Sequence, residues 1–337
     1  MRRSPRASSL RRAIAVVAVA AGTLGLAGCG QSAGGPGAAS SDGAGGFPRT
    51  VPNAMGEARI DRAPQRVAAL DTSFVDDAIA LQTPVVAYTR YPGLGDRLPA
   101  YLGPDAATYA KDARPVGDLA NPSIERIAAQ NPDLIVSAKV RHQQIFDKLS
   151  GIAPTVFSET TGATWKDNIR LLGRALGKEQ LAEQKIGAYE QRARKIGDEI
   201  RAKEGRNPTV SMVRFVGGEQ TVRLYNPRSF PGIVLADTGL ARPAGQPTSE
   251  QISVNLSQEQ ITSLDADRIF VATWSDGKGE SEGVKQRFRA NPLWGQLSGR
   301  TADVEDTTWV SSVSLQGASA MLDDLARAFE VDPARTG

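Results

Sequence analysis

Short apolar runs alternate with longer amphipathic stretches along most of the chain. Runs such as Val67-Ala68-Ala69-Leu70 are typical of buried strands, and the stretches between them repeat apolar residues at helical spacing. The elements that this pattern predicts are strands over 66–70, 84–88 and 133–137, and helices over 74–81 and 123–130. Such alternation predicts an α/β fold in which helices cover a mostly parallel sheet.

One segment of this pattern occurs twice. Residues 121–139 align without a gap with residues 255–273, at an offset of 134 residues, and seven of the aligned positions are identical. Each copy contains a serine suited to cap a helix, Ser123 or Ser257, and each carries an acid in the first helical turn, Glu125 or Glu259. The repeat predicts one helix followed by one buried strand in each half. The alternative is that the two segments are unrelated capped helices before strands, whose sequences are similar because this motif is common.

A long helix is predicted between the two copies. Few helix breakers interrupt residues 165–203 apart from Gly177, and residues 179–203 keep an apolar stripe. About 25 residues at roughly 1.5 Å each span about 38 Å, which is enough to bridge two lobes. The organisation predicted for the body is an N-terminal lobe over 47–164, connecting helices over 165–205 and a C-terminal lobe over 206–337.

The pattern of the first 46 residues is typical of an export signal followed by a tether. Five arginines precede the small and apolar run Ala13–Leu26, and Leu26-Ala27-Gly28-Cys29 resembles a bacterial lipobox. Cys29 is the only cysteine, which excludes an internal disulfide. We expect a signal peptide over 1–28, lipidation of Cys29 and a flexible Gly/Ala/Ser tether over 29–46. An uncleaved helix and a twin-arginine signal at Arg11-Arg12 are the alternatives.

Charge excludes one class of partner. The chain has 40 basic and 37 acidic residues, and removing the five leader arginines leaves 35 against 37, a net charge of −2. Nucleic acid is therefore not an expected partner, because no cationic field remains to hold the phosphates. Hydrophobic residues at 40% and charged residues at 23% are those of a globular protein.

Arginines and aromatic residues follow the predicted strands. Ligands of open α/β sheets collect at the carboxyl ends of strands, so these residues predict a lined pocket for a bulky, flat ligand that carries oxygens. The candidate ligand-binding residues are Tyr88, Arg90, Tyr91, Arg141, Arg214, Phe215, Arg223, Tyr225, Phe230, Trp274 and Trp309.

The sequence argues against catalysis. It has no Gly-x-Ser-x-Gly elbow, no Walker loop and no Gly-x-Gly-x-x-Gly after a strand, and His142 is its only histidine. A histidine-based metal centre is excluded by that count, and we expect His142 to be a polar residue at the rim of the pocket. A membrane-tethered α/β hydrolase that uses carboxylates alone is the alternative from a different functional class.

Several segments together resemble one family. They are Pro64–Leu70, Glu125–Val136, Tyr225–Pro243 and Asn291–Trp294 followed by Trp309. In order and spacing the body resembles a class III substrate-binding lipoprotein of iron-siderophore ABC importers. The resemblance implies two Rossmann-like lobes joined by a single long rigid helix, with the ligand cleft between the lobes.

The resemblance also implies a function and partners. A protein of this family captures a ferric siderophore outside the cell and presents it to the permease of an ABC importer, docking through one acid per lobe, here Glu125 and Glu259. We expect no cofactor of the protein's own, because iron arrives inside the chelate. We also expect a monomer that is lipid-anchored to the outer face of the plasma membrane. Ferric hydroxamates of the desferrioxamine type are favoured by resemblance; ferric catecholate, ferric citrate, haem and cobalamin are the alternatives.

Overall fold

The structure, a computed structural model, describes residues 46–275 and 277–335. The predicted signal peptide, Cys29 and the predicted tether up to residue 45 lie outside the described residues. None of the helices within the described ranges is long and apolar enough to cross a membrane. The described chain opens with an antiparallel hairpin of β1 (Arg49–Asn53) and β2 (Gly56–Ile60).

The N-terminal half of the described chain forms a six-stranded sheet, whose helices and strands we call the N-terminal lobe. The strands are β3 (Val67–Ala69), β4 (Val85–Arg90), β5 (Arg114–Asp118), β6 (Asn121–Pro122), β7 (Leu134–Ala138) and β8 (Thr155–Ser158). They lie in the order β6-β5-β4-β3-β7-β8, and every pair is parallel except β5 with β6. The predicted parallel sheet is confirmed for this lobe.

Short helices connect these strands. They are α1 (Thr72–Ala80), α2 (Gly103–Tyr109), α3 (Ile124–Ala129), α4 (Lys139–His142) and α5 (Phe146–Ser150). Helix α1 begins at Thr72 because Asp71 is its N-cap: the Asp71 side chain accepts a hydrogen bond from the backbone N–H of Ser73 at 3.0 Å. Ser123 caps α3 in the same way by accepting the N–H of Arg126.

Two helices lead from this sheet to the next one, α6 (Trp165–Leu176) and α7 (Glu179–Glu204). Gly177 separates them in the left-handed conformation, with φ of 70°, which glycine adopts without strain. The 26 residues of α7 confirm the predicted long helix. Its buried face, which includes Ile186, Ile196 and Ile200, packs into a core that also takes residues from both sheets.

The C-terminal half of the described chain forms a five-stranded sheet, and its strands and helices are the C-terminal lobe. The elements are β9 (Val210–Phe215), β10 (Val222–Tyr225), α8 (Phe230–Asp237), β11 (Ser253–Leu256), β12 (Arg268–Thr273), α9 (Glu280–Ala290), β13 (Arg300–Val304) and α10 (Leu315–Phe329). The strand order is β11-β10-β9-β12-β13. In this sheet β9, β12 and β13 pair in parallel. The strand β10 is antiparallel to β9 because a short turn joins the two, and β11 is antiparallel to β10.

The internal repeat forms equivalent structure in the two lobes, with one difference. The first copy is α3 followed by β7, whereas the second is a 3₁₀ helix over Gln258–Leu264 followed by β12. Asp133 and Asp267, at equivalent positions of the repeat, make equivalent hydrogen bonds. Asp133 accepts the backbone N–H of Arg66 just before β3 at 2.8 Å, and Asp267 accepts that of Thr209 just before β9 at 2.7 Å. Each aspartate therefore ties its strand to the start of a central neighbour.

Candidate functional site

A cleft of about 740 Å³ lies between the two lobes, where the parallel strands of both sheets end. The N-terminal lobe contributes residues that follow β3, β4, β5, β7 and β8. The C-terminal lobe contributes β9, β10, the start of α8, the residue after β12 and the segment before α10. This is the place where open α/β sheets bind ligands. The predicted ligand-binding residues that line it are Arg141, Arg214, Arg223, Tyr225, Phe230 and Trp274.

Arg141 reaches the cleft from the N-terminal lobe. It lies in α4, which begins directly after β7. Its Nε donates to Oδ2 of Asp71 at 3.0 Å, and the Asp71 side chain is only 4% exposed. Asp71 therefore caps α1 with one carboxylate oxygen and holds Arg141 with the other.

Arg214 and Arg223 face the cleft from the C-terminal lobe. They lie directly opposite each other on the antiparallel strands β9 and β10. Like charges in that position repel, so the pair needs compensation. Asp306 accepts from Nε and Nη2 of Arg214 at 2.6 and 2.8 Å, and Glu219 pairs in the same two-pronged way with Arg223.

Aromatic side chains complete the wall on this side. Tyr225 lies two residues after Arg223 and so on the same face of β10, and its side chain interacts with both guanidinium groups. Burial raises the pKa of Tyr225 above its ordinary value, so its hydroxyl is uncharged over a still wider range of pH. Phe230 opens α8 because Ser229 caps that helix, and Trp274 follows β12 with its backbone N–H bonded to the carbonyl of Phe215 at 2.9 Å.

Apolar side chains border the cleft at its opening. Val140 on the N-terminal lobe is 61% exposed and Ile252 on the C-terminal lobe is 51% exposed, and both line the cleft. They are the large hydrophobic residues that the described part of the chain leaves exposed. One from each lobe at a ligand cleft offers apolar contact to a bound molecule.

Three predicted ligand-binding residues are instead in the core, and their assignment is corrected. Phe215 follows Arg214 in β9, so its side chain points to the opposite face of the sheet, where it packs against Phe288 at 5.3 Å between ring centroids. Trp309 is fully buried in a π-helical turn over 307–311; it stacks on Phe270 at 4.5 Å.

Tyr91 is the third buried residue of this group. Its side chain is enclosed, and its hydroxyl donates to the carboxylate of Asp76. Tyr88 and Arg90 also lie outside the cleft. The loop after β4 folds back on both of them, so that the Tyr88 hydroxyl donates to the Asp96 carbonyl at 2.6 Å and Arg90 Nε donates to the Asp96 carboxylate at 2.6 Å.

His142 is buried rather than at the rim. Its Nδ1 lies 2.7 Å from the Ser137 hydroxyl and its Nε2 lies 2.7 Å from the carbonyl of Leu119. Burial lowers the pKa of His142, and the neutral ring fits this pattern, because Nε2 donates to the carbonyl while Nδ1 accepts from the hydroxyl. Over residues 46–275 and 277–335, no three His, Cys, Asp or Glu side chains come together as metal ligands.

The acids that hold the cleft arginines were not among the residues predicted from the sequence. Asp71, Glu219 and Asp306 lie 70, 4 and 92 positions from their arginine partners. Only Glu219 is close to its partner in sequence, four positions before Arg223 in the turn between β9 and β10. Nothing in the sequence singles out Val140 and Ile252, because isolated apolar residues on a protein surface are common.

Glu125 and Glu259 are both exposed, one in each lobe. Glu125 lies in the first turn of α3, and hydrogen bonding to its own backbone N–H and to Ser123 lowers its pKa. Bonding to Ser257 lowers the pKa of Glu259 in the corresponding turn. Both carboxylates are thus held ionised at equivalent places of the repeat.

Comparison with known proteins gives a consistent result. Residues 67–299 match the family described as periplasmic binding protein. The probable siderophore-binding lipoprotein YfiY of Bacillus subtilis is 34% identical over 298 residues, which cover 83% of this chain and 87% of that protein. The Fe(3+) dicitrate-binding periplasmic protein FecB of Escherichia coli is 26% identical over 296 residues, or 85% and 92% of the two chains.

A solved structure agrees in fold. Staphylococcus aureus SirA complexed with staphyloferrin B superposes with a TM-score of 0.75 at 27% identity, covering 85% of this chain and 99% of that one. The two lobes and the long helix between them are thus the architecture of a binding protein, and the family is one of substrate-binding proteins rather than enzymes. The chain belongs to the periplasmic binding protein family.

Proposed function

We propose that this protein captures a ferric siderophore in the cleft between its lobes and delivers the chelate to an ABC importer. The observation that carries the proposal is the meeting of Arg141 from one lobe with Arg214 and Arg223 from the other, beside Tyr225 and Trp274. Guanidinium groups donate several hydrogen bonds in one plane and aromatic rings stack, which suits a bulky chelate with oxygens on its surface. The names of the relatives above point the same way.

Iron enters this cleft as part of the chelate. The cleft is lined by arginines, aromatic residues and hydroxyls, which are not a ligand set for Fe(III). The siderophore supplies the coordination shell, and the protein recognises the outside of the complex. The protein therefore needs no cofactor of its own.

Within this class, a ferric hydroxamate of the desferrioxamine type is the favoured ligand. A linear trihydroxamate presents near-neutral oxygens joined by hydrocarbon spacers. Neutral oxygens can accept from the cleft arginines, and hydrocarbon spacers can contact the exposed Val140 and Ile252. Ferric citrate is the second candidate, because FecB, at 26% identity, is named for ferric dicitrate.

The test is a titration of the purified protein with ferric desferrioxamine, ferric citrate, a ferric tricatecholate, haem and cobalamin. Binding is followed by quenching of intrinsic fluorescence, to which Trp274 in the cleft contributes, and by calorimetry. Arg214→Ala should weaken binding of the preferred chelate at least tenfold, roughly the loss of one charge-assisted hydrogen bond. Arg170→Ala, which breaks an ion pair outside the cleft, is the control. Absence of binding by every ferric chelate would contradict the proposal, and a ligand recovered chemically altered would favour the hydrolase alternative.

We also propose where in the cell the protein is located. Lipidation of Cys29 after removal of residues 1–28 would hold the monomeric protein at the outer face of the plasma membrane, with residues 29–46 as tether and lobes over 47–164 and 206–337 joined by 165–205. Cys29→Ala should leave chelate affinity unchanged and move the protein out of the membrane fraction. A processed variant that stays in the membrane would argue against lipidation.

A further inference from the structure

Each arginine in the cleft has its own carboxylate. Arg214 and Asp306 form a two-pronged pair in which the side chains are 12% and 7% exposed. Arg223 pairs with Glu219 at 32% and 25% exposure, and Arg141 with Asp71 at 39% and 4%. Three positive charges are thus matched by three negative charges at contact distance.

The basic residues beside the cleft follow the same rule. Lys139, next to Val140, pairs with Glu159 at 3.0 Å, and Arg228, in the C-terminal lobe, pairs with Glu250 at 2.8 Å. These two pairs therefore add donors near the cleft without adding net charge.

The pairs are arranged so that the arginines can still donate. Tyr225 is a further side-chain partner of Arg214 and Arg223. In all three cleft pairs the carboxylate accepts from Nε, and in two of them from Nη2 as well, so no hydrogen bond of the pair uses Nη1. An oxygen of a bound chelate can accept a hydrogen bond there while the acid stays in place. The acids also contribute a repulsive field, which grows with the negative charge of the chelate.

We infer that Asp71, Glu219 and Asp306 set the charge selectivity of the cleft, so that it takes ferric chelates of little net charge and rejects strongly anionic ones such as ferric tricatecholates. This inference rests on the proposed function, because it concerns which chelate the same cleft accepts. The arginines supply hydrogen bonds to oxygen, and the three acids determine how much negative charge may accompany that oxygen.

Replacing one acid by its amide tests the inference. Glu219→Gln keeps the shape of the side chain and one acceptor oxygen for Arg223 but removes one negative charge. We expect the ratio of the affinity for a ferric tricatecholate to the affinity for ferric desferrioxamine to rise about tenfold, since Coulomb energy scales with the charge of the chelate. High salt should reduce the gain, because the pair is partly exposed.

Glu183→Gln is the matched control. Glu183 pairs with Arg170 through Nε and Nη2 just as Glu219 does with Arg223, but it lies on α7 outside the cleft. It should leave both affinities unchanged. Asp306→Asn is a second cleft variant, and a melting curve for each variant verifies that it is folded.

The outcomes separate the two proposals. A wild-type protein that binds no ferric chelate overturns the proposed function itself. A wild-type protein that binds the ferric tricatecholate as tightly as desferrioxamine, or Glu219→Gln and Asp306→Asn variants with unchanged selectivity, overturns the charge inference and leaves the function standing.

Discussion

The carboxylate of Asp76 is fully buried where α1 meets the start of α10. It accepts hydrogen bonds from the hydroxyls of Tyr91, Tyr101 and Ser314, and its backbone carbonyl accepts from Gln316 at 2.7 Å. Ser314 also caps α10. One side chain therefore joins the N-terminal lobe to the segment that follows the cleft residues Val310 and Ser311.

Asp76 makes the stability of the protein depend on pH. Burial raises its pKa from 3.8 to about 7, although three hydroxyl groups oppose the shift. In the unfolded chain the group releases its proton near the lower value, so the folded state binds more protons between the two values and stability falls as pH rises from about 4 to about 7. At about 1.36 kcal/mol per unit of pKa, the loss is a few kcal/mol at most.

The variant Asp76→Asn removes this contribution. We expect the melting temperature of the wild type, relative to that of the variant, to decrease steadily as pH is raised from 4 to 7. Asp112→Asn, at an exposed position, is the control and should follow the wild type. Parallel curves for the wild type and Asp76→Asn would show that Asp76 does not titrate in this range. Asp77 is nearby and also buried, and the charge of Asp76 is one of the causes that raise its pKa, so the difference between the two curves includes the coupling between the two carboxyl groups.

Sequence could predict which residue types line the cleft but not all their directions. Side chains alternate between the two faces of a strand, which places Arg223 and Tyr225 on one face of β10 and puts Arg214 and Phe215 on opposite faces of β9. This alternation alone is enough to exclude Phe215 from the ligand-binding residues. The direction of Trp309 depends on a π-helical turn, and that of Arg90 on a loop that folds back. Neither leaves a periodic pattern in the sequence.

At the scale of elements, α7 shows how close packing overrides helix propensity. It contains two glycines, Gly187 and Gly197. A Cβ atom at Gly187 would have nothing within 4 Å, whereas one at Gly197 would lie 1.8 Å from the backbone carbonyl oxygen of Thr238 at the end of α8. Gly197 is therefore required for α7 and α8 to approach each other.

The two glycines form a matched pair for mutation. Gly187→Ala should stabilise the protein by about 0.5–1 kcal/mol, since alanine is the better helix former at an open position. Gly197→Ala gains the same propensity but should lower the melting temperature, because α8 must move to relieve the overlap. Thermal unfolding of both variants provides the measurement, and a stabilised Gly197→Ala variant would contradict the close contact.

The elements themselves were largely predictable. The long helix and the parallel sheet of the N-terminal lobe follow from apolar periodicity, and the repeat located equivalent helix–strand units. The 3₁₀ form of the second copy was not predictable, because the same serine cap and first-turn acid suit both kinds of helix. The antiparallel β10 depends on the short turn at Glu219, whose hairpin was not recognised.

At the scale of the whole molecule, the repeat presents one exposed acid on each lobe. Glu125 and Glu259 both lie outside the cleft, so neither lines the ligand site. Their simplest role is to complement the dipole of the helix that each begins. We propose that they also dock on basic pockets of the importer, one on each half of the permease.

The double variant Glu125→Ala/Glu259→Ala distinguishes these roles. If the two acids dock, chelate affinity should stay at the wild-type level and the melting temperature should change little, while iron uptake by cells is abolished; reversal to lysine should be at least as severe, because like charges then meet across the interface. The control is Asp147→Ala/Glu280→Ala, which removes one exposed first-turn acid from each lobe outside the repeat. A helix-dipole role alone predicts a small loss of thermal stability in both double variants with uptake intact. Normal uptake by Glu125→Ala/Glu259→Ala would therefore remove the docking assignment of both residues.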